Sequence, residues 1–138
     1  GIDLARALSQ LGSGWKRPLV SVSIDPNARA TNLEHAVTLL RVAQEGLTNA
    51  ARHSNAAKVE IRLSLNEESV SSPDRCALIL SVSDDGNGAN NAAKLIRGNG
   101  LNGMAERLAA LGGSLEIKPL AQGFCLAARL PMPAQSQL

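Results

Sequence analysis

The chain has 138 residues, of which 44% are hydrophobic, so it can bury one core but is too short for two. Its net charge of +2 comes without runs of Lys or Arg, and Trp15 and Phe124 are its only aromatic residues, which argues against a nucleic-acid partner. No segment approaches the roughly 20 apolar residues of a membrane-spanning helix, so we expect no direct membrane contact from this chain.

The first part of the chain predicts a helix, a strand and a long helix. Residues 2–11 place apolar side chains at helical spacing, and residues 18–25 alternate like a half-buried strand. Thr31 or Asn32 can cap the long helix, which is expected to run over residues 31–54.

The second part predicts two hairpins that flank a helix. The strands of the first hairpin are residues 57–65 and 75–83, joined by a polar turn at 66–74. Residues 75–83 are the most apolar run and are interpreted as a central strand. A helix over residues 101–111 follows, and the segments "SLEIKPL" and "GFCLAARLP" form the final hairpin.

This order of elements favours an α+β fold built as a two-layer α/β sandwich. We expect a mixed sheet of about five strands with about three helices on one face. The order lacks the regular βαβ alternation of a doubly wound fold, and the chain has no G-x-x-x-x-G-K-[ST] motif, which excludes a P-loop. Residues 1–131 are predicted to form the domain and residues 132–138 a flexible C-terminal tail.

The two cysteines, Cys76 and Cys125, lie far apart in separate apolar segments. This placement favours two buried free thiols over a disulfide or a metal pair. Because free thiols are typical of a reducing compartment, we expect a cytoplasmic domain, whose parent protein could still be membrane-anchored.

One face of the long helix carries a set of polar side chains. With about 100° per residue, Glu45, Asn49, Arg52 and His53 fall on one side and the apolar residues on the other. A solvent-exposed face explains this pattern equally well. The residue types also suit phosphoryl transfer, because an amide oxygen can bind Mg²⁺ and a carboxylate can orient or deprotonate an attacking group.

Two pairs of glycines follow the central strand. Asp84 ends the strand, and Gly86 and Gly88 could bring the backbone close to a flat ring, although a tight turn explains this pair as well. Gly98 and Gly100 open the next helix, whose N-terminal N–H groups favour phosphate, although a flexible connector is the alternative. Residues 89–97 between the pairs predict a short lid.

Taken together, three segments resemble the sequence boxes of the GHKL ATPase superfamily. "LLRVAQEGLTNAARHSNAAKV" resembles its N box, "VSDDGNG" its D-x-G-x-G box and "GNGLNGMAERLAALGGSLEI" its second glycine box. The segments "QEGLTNAARHS" and "GLNGMAERLAALGG" are most similar to sensor histidine kinases that pair with LuxR/NarL-type response regulators. The resemblance covers residues 1–131, and the three boxes in this order are specific to the superfamily.

The resemblance implies a Bergerat-type fold that binds ATP and Mg²⁺. Asn49 should hold the metal, Glu45 should be the catalytic acidic residue, and Asp84 should contact the adenine amino group above Gly86 and Gly88. The remaining nucleotide-binding residues that the resemblance implies lie on the phosphate side: Arg52, His53, Gly98, Gly100 and Leu101.

The implied function is that of the catalytic, ATP-binding domain of a two-component sensor histidine kinase. Such a domain transfers the γ-phosphate to a His on a dimerisation domain outside this chain. The response regulator is the partner of that dimerisation domain. The alternatives are a GHKL serine kinase of the anti-sigma-factor type and a degenerate interaction module. Phe124 stands where family members often carry Thr, so a hydroxyl-mediated link to the adenine-binding Asp84 is expected to be lost.

Overall fold

The order of helices and strands predicted from the sequence is confirmed. The structure is a computed structural model that describes residues 3–30, 32–53, 55–69, 72–86 and 99–133. Within these ranges the elements are α1 Leu4–Ser13, β1 Leu19–Ile24, α2 Leu33–His53, β2 Lys58–Ser69, β3 Ser72–Asp84, α3 Asn99–Ala110, β4 Ser114–Pro119 and β5 Phe124–Pro133.

The five strands form one mixed sheet in the order β1-β2-β3-β5-β4. β1 pairs with β2 in parallel, whereas β2 with β3, β3 with β5, and β5 with β4 are antiparallel. The two predicted hairpins are therefore present, and β3 is the central strand, as its apolar sequence indicates.

One face of the sheet carries the core and is covered by the helices. Leu78, Leu80 and Val82 of β3 are almost fully buried on this face, whereas Ser81 and Ser83 on the other face are half-exposed. Each fully buried leucine contributes about 1.5–3 kcal/mol through the hydrophobic effect. This arrangement confirms the two-layer sandwich.

The polar turn predicted at residues 66–74 is wrong, because both strands continue through most of it. Asn66 pairs with Ala77 and Glu67 with Cys76, so the polar sequence is held by backbone pairing between the two strands. β5 also runs beyond the predicted domain end at residue 131, since Met132 pairs with Cys76 and is 5% exposed. Residues 132 and 133, predicted to belong to the tail, are part of this strand. Residues 134–138 lie outside the described ranges.

Both ends of α2 are fixed by local hydrogen bonds. Asn32 is the N-cap, since its Oδ1 accepts a hydrogen bond from the His35 backbone N–H at 2.8 Å. At the other end Asn55 has a φ of 49°, and the Ala56 N–H donates to the Ala50 carbonyl oxygen at 3.3 Å, as in a Schellman motif. α2 therefore turns sharply into β2.

Both cysteines are free and half-buried, so they are less buried than the sequence suggests. Cys76 faces Met132 across the ladder, whereas Cys125 faces Ser83 at its other end. The two sulfur atoms are thus too far apart for a disulfide. In the described ranges no helix is long and apolar enough to cross a bilayer.

Gly46 of α2 lies close against the central strand of the sheet. A Cβ on this glycine would lie 3.1 Å from Cβ and from both methyl carbons of Val82. Real Cβ atoms rarely make such tight contacts, so the missing side chain allows α2 to lie directly on β3. This contact fixes the height of the helix above the end of the central strand.

We expect Gly46→Leu to destabilise the domain by about 1–3 kcal/mol, because the added side chain has no space against Val82. The matched control is Gly103→Leu, at an exposed position of α3 where a Cβ would meet no atom within 4 Å. The control should leave the free energy of unfolding unchanged or raise it by less than about 1 kcal/mol, since leucine favours helix. Urea unfolding measures both, and equal effects would contradict the close contact.

Candidate functional site

Three elements meet at one end of the sheet. α2 turns directly into β2, and β2 is antiparallel to β3, so α2 and β3 run in the same direction and end together. α3 turns through Gly112 and Gly113 into β4, which runs in the same direction as β3 because both are antiparallel to β5. The N-terminus of α3 therefore lies at the end of the sheet where β3 and α2 finish.

The residues predicted on α2 do not share one open polar face. Glu45 is half-buried and Arg52 is exposed, but Asn49 is only 7% exposed, one turn beyond the close contact at Gly46. His53 is the last residue of α2, and its side chain lies outside the described part. Asn49 is thus a nearly buried polar group near the end of β3.

Asp84 ends β3 on the core face of the sheet and is 6% exposed. Its Oδ1 accepts a hydrogen bond from the Gly86 backbone N–H at 2.9 Å. Burial raises the pKa of the Asp84 carboxyl above 3.8, and the neighbouring Asp85 carboxylate adds to this, against the lowering effect of the Gly86 and Phe124 N–H groups. A buried carboxylate with free acceptor capacity can bind an amino group of a ligand.

The neighbouring Asp85 has a different role, which is to connect elements. Its Oδ1 accepts hydrogen bonds from the backbone N–H groups of Ala57 and Lys58, both at 2.9 Å. These bonds, and that of Lys58 above all, lower the pKa of the Asp85 carboxyl. The connection between α2 and β2 is thereby attached to the end of β3. The two adjacent aspartates therefore have different environments and different hydrogen-bond partners.

Phe124 begins β5 beside the end of β3 and is 3% exposed. The expected hydroxyl is absent, but the Phe124 backbone N–H stabilises the ionised Asp84 carboxyl and lowers its pKa. The strand therefore supplies a hydrogen-bond donor to Asp84 through the main chain instead of through a side chain.

Only part of the predicted phosphate end lies in the described ranges. Gly100 lies in the first turn of α3, and the next residue, Leu101, is 4% exposed and belongs to the hydrophobic core. A role of Leu101 toward a nucleotide can therefore involve its backbone only. Gly88, Gly98 and the predicted lid at residues 89–97 lie outside the described ranges.

A cavity of about 510 Å³ opens between the start of α1 and residues 24–30. Ile24 and Asp25 line it where β1 ends, next to the rungs that pair Ile24 with Leu63 of β2. The Leu63 rung lies four residues along β2 from Val59, which pairs with Asp84. The cavity is therefore separate from the site.

The sequence interpretation missed two glycines that shape the site. Gly46 allows α2 to contact Val82, and Gly123 in the turn between β4 and β5 lies against Asp84 with a φ of +86°. A glycine inside a predicted long helix is a signal of close packing, since glycine disfavours helix by about 1 kcal/mol. Gly123 gives a weaker signal, because glycines are common in hairpin turns.

The fold and the site define a two-layer α/β domain in which a buried carboxylate ends the central strand. The chain belongs to the family of histidine kinase-, DNA gyrase B-, and HSP90-like ATPases (HATPase_c), whose profile matches residues 34–134. The family that the sequence boxes imply is thus confirmed.

Two curated relatives are sensor proteins. The chain is 42% identical over 81 residues to the signal transduction histidine-protein kinase/phosphatase UhpB of Salmonella typhimurium, covering 59% of this chain and 14% of that protein. It is 35% identical over 82 residues to the sensor protein VraS of Staphylococcus haemolyticus, covering 59% of this chain and 21% of that protein. The chain therefore spans about a seventh to a fifth of the length of these relatives.

Solved structures of histidine kinases have the same fold. The ATP binding domain of PrrB from Mycobacterium tuberculosis superposes with a TM-score of 0.69 at 19% identity, covering 96% of both chains. The histidine kinase domain of the E. coli osmosensor EnvZ gives a TM-score of 0.62 at 19% identity, covering 99% of this chain and 89% of that chain. At this level of identity the likeness supports the fold.

The two aspartates should affect stability with opposite dependence on pH. The folded-state pKa of Asp84 is raised, so the free energy of unfolding falls as pH rises from about 3.8 through that pKa. Asp84→Asn removes the free-energy cost of burying an ionised carboxylate. The variant should therefore be more stable than the wild type at pH 7, and the difference should vanish at lower pH. Urea unfolding between pH 3 and 7 measures the effect.

Asp85→Asn is the matched control for this series. The folded-state pKa of Asp85 is lowered, so its stabilisation is present above about 3.8 and disappears as pH falls through the lowered pKa. Asp85→Asn should therefore be less stable than the wild type at pH 7. A loss of stability at pH 7 in Asp84→Asn as well would contradict the cost of burying that carboxylate.

Proposed function

We propose that this chain is the catalytic, ATP-binding domain of a two-component sensor histidine kinase that transfers the γ-phosphate of Mg-ATP to a histidine on a dimerisation domain. One observation carries the proposal: a buried carboxylate, Asp84, ends the central strand at the end of the sheet where α2 carries the nearly buried amide of Asn49. The groups proposed to bind the base and the metal thus lie at the same end of the sheet.

Asp84 is proposed to recognise adenine. An ionised carboxylate accepts hydrogen bonds only, and adenine presents an exocyclic amino group that donates them. Because the site removes Asp84 from water, a ligand that restores a hydrogen bond gains more than it would at an exposed carboxylate. Gly86 and Gly88 are proposed to lie beneath the ring, where side chains would obstruct it.

Asn49 is proposed to hold Mg²⁺. Its amide oxygen is the kind of hard ligand that this ion prefers, and its position one turn beyond the contact of Gly46 with Val82 places it near the end of β3. No three His, Cys, Asp or Glu side chains of the described residues gather as ligands, so phosphate oxygens and water would complete the coordination. When bound, the ion neutralises charge on the phosphates.

The γ-phosphate is proposed to lie between Glu45 and the N-terminus of α3. Glu45 is half-buried one turn before Asn49, where its carboxylate could accept the N–H proton of the imidazole ring whose other nitrogen attacks the γ-phosphate. The N-terminal N–H groups of α3, those of Gly100 and Leu101 among them, suit the phosphates, and Gly98 is proposed to contact the phosphates as well. Arg52 and His53 are proposed to contact the phosphates from α2.

The proposed partners follow from this role. The dimerisation domain of the same kinase would present the phosphoacceptor histidine, and a LuxR/NarL-type response regulator would receive the phosphoryl group from it. The similarity to the histidine-protein kinase UhpB supports this assignment and disfavours a serine kinase. We propose that the domain works in the cytoplasm as part of a parent that could be membrane-anchored.

Calorimetric titration with Mg-ADP tests the proposal at Asp84. We expect the wild type to bind and Asp84→Ala to bind at least about tenfold more weakly, since a hydrogen bond to a charged group contributes about 1.5–3 kcal/mol. Alanine is preferred to asparagine because an amide could still accept from the amino group. No binding by the wild type would favour a degenerate interaction module, and equal binding by both proteins would refute the role of Asp84.

A second titration tests Asn49 through the metal. For the wild type, ADP affinity should be higher with Mg²⁺ than with a chelator, and in Asn49→Ala this difference should fall by about tenfold or more. Arg41→Ala is the control, because Arg41 is an exposed residue two turns earlier on α2. A metal dependence that Asn49→Ala leaves intact would remove Asn49 from the metal site.

A further inference from the structure

The turn between β4 and β5 contacts Asp84 from the side of β5. The Leu120 N–H donates to the Gly123 carbonyl oxygen at 3.1 Å, which closes the turn. Gly123 is buried, has a φ of +86°, and is followed by Phe124, the first residue of β5. The turn thus reaches the end of the central strand.

No side chain fits at Gly123. A Cβ there would overlap the Asp84 carbonyl oxygen and would lie 2.9 Å from the carboxylate oxygen Oδ1. The glycine backbone therefore lies directly against both the main chain and the carboxylate of Asp84. The position needs glycine for this approach as well as for its positive φ.

Two further contacts hold the turn against the same strand end. The Gln122 Nε2 donates to the Asp85 carbonyl oxygen at 3.0 Å, and the Phe124 N–H favours the ionised Asp84 carboxyl. The Asp84 carboxylate thus receives backbone N–H groups from Gly86 and from Phe124, the residue that follows Gly123. Its orientation therefore depends on residues nearly 40 positions further along the chain.

We propose that Gly123 and Gln122 are positioning residues that orient Asp84 and thereby determine the preference of the site for a purine with an amino group at C6. This inference rests on the proposed function, since it assigns a specificity element to the same site. Phe124 carries no hydroxyl, so orientation of the carboxylate from this side comes from the main chain of the turn.

The alternative is a purely structural role, in which Gly123 only allows the turn to form. Two other glycines of the chain separate the possibilities. Gly112 has a nearly equal φ of +82°, but a Cβ there would lie 3.6 Å from the Pro131 ring and would clash with nothing. A Cβ on Gly113 would overlap the Arg129 carbonyl oxygen, at the end of β5 away from Asp84. Gly112→Ala therefore reproduces the backbone strain, and Gly113→Ala reproduces a backbone clash.

The test is the ratio of ADP affinity to inosine diphosphate affinity, measured by calorimetry with Mg²⁺. Inosine diphosphate carries an oxygen at C6, which cannot donate to a carboxylate. We expect the wild type to prefer ADP by about tenfold or more, and Gly123→Ala to lose most of this preference. Gly112→Ala and Gly113→Ala should unfold more easily but keep the wild-type ratio, because a ratio does not depend on the folded fraction.

The possible results separate this inference from the proposed function. A wild type that binds neither nucleotide overturns both. A wild type that binds both nucleotides equally overturns the inference and the role of Asp84. A Gly123→Ala protein that keeps the wild-type ratio overturns the inference alone.

If Gly123→Ala does not fold, Gln122→Ala decides the question. This change removes only the exposed hydrogen bond to the Asp85 carbonyl and should preserve the fold. We expect its preference for ADP to fall about two- to threefold, in keeping with the modest net contribution of one hydrogen bond. A ratio equal to that of the wild type would overturn the inference.

Discussion

The site depends on a carboxylate that is buried at the end of an apolar strand. Asp84 follows Leu78, Leu80 and Val82 on the core face of β3. The same strand therefore supplies the centre of the hydrophobic core and, at its end, the buried carboxylate. Burial of a charged group costs free energy unless hydrogen bonds compensate, and here backbone N–H groups from two directions do so in part. The domain thus retains a polar group that its own atoms do not fully satisfy, which is what a ligand can exploit.

The surrounding elements are arranged to hold that strand end. Asp85 attaches the connection between α2 and β2, and the turn at Gly123 closes the other side. Neither Asp85 nor the turn is itself proposed to bind the nucleotide. The predicted base-binding carboxylate is therefore supported by main-chain groups from two distant segments, so its position is determined by the register of the sheet.

The general fold could be predicted because hydrophobic periodicity is a strong local signal. The alternation in β1 and the apolar run of β3 identify these strands directly. The extension of β2 through Asn66 and Glu67 could not be predicted in this way, because polar residues there are held by pairing with β3 instead of by burial. The same reason explains the end of β5 at Pro133, where pairing with Arg75 continues the strand beyond the domain end predicted at residue 131.

For the site, the sequence indicates the chemical roles of the residues better than their burial and contacts. The residue types at Asn49 and Asp84 suggest their roles, but helical periodicity alone places Asn49 on a polar face, whereas packing against β3 buries it. The contribution of Gly123 depends on an approach between residues about 40 positions apart, which no local pattern encodes. Which of two adjacent aspartates enters the core is likewise decided by sheet register.

The contact between Gly46 and Val82 fixes the distance between the two polar groups of the site. Since α2 lies directly on β3 and both elements run in the same direction, the spacing between Asn49 and Asp84 is set by two rigid elements in van der Waals contact. A free base or a free polyphosphate can interact with only one of these two groups. A molecule that joins both groups at the right separation gains the second contact without a further loss of translational freedom, which is the chelate effect.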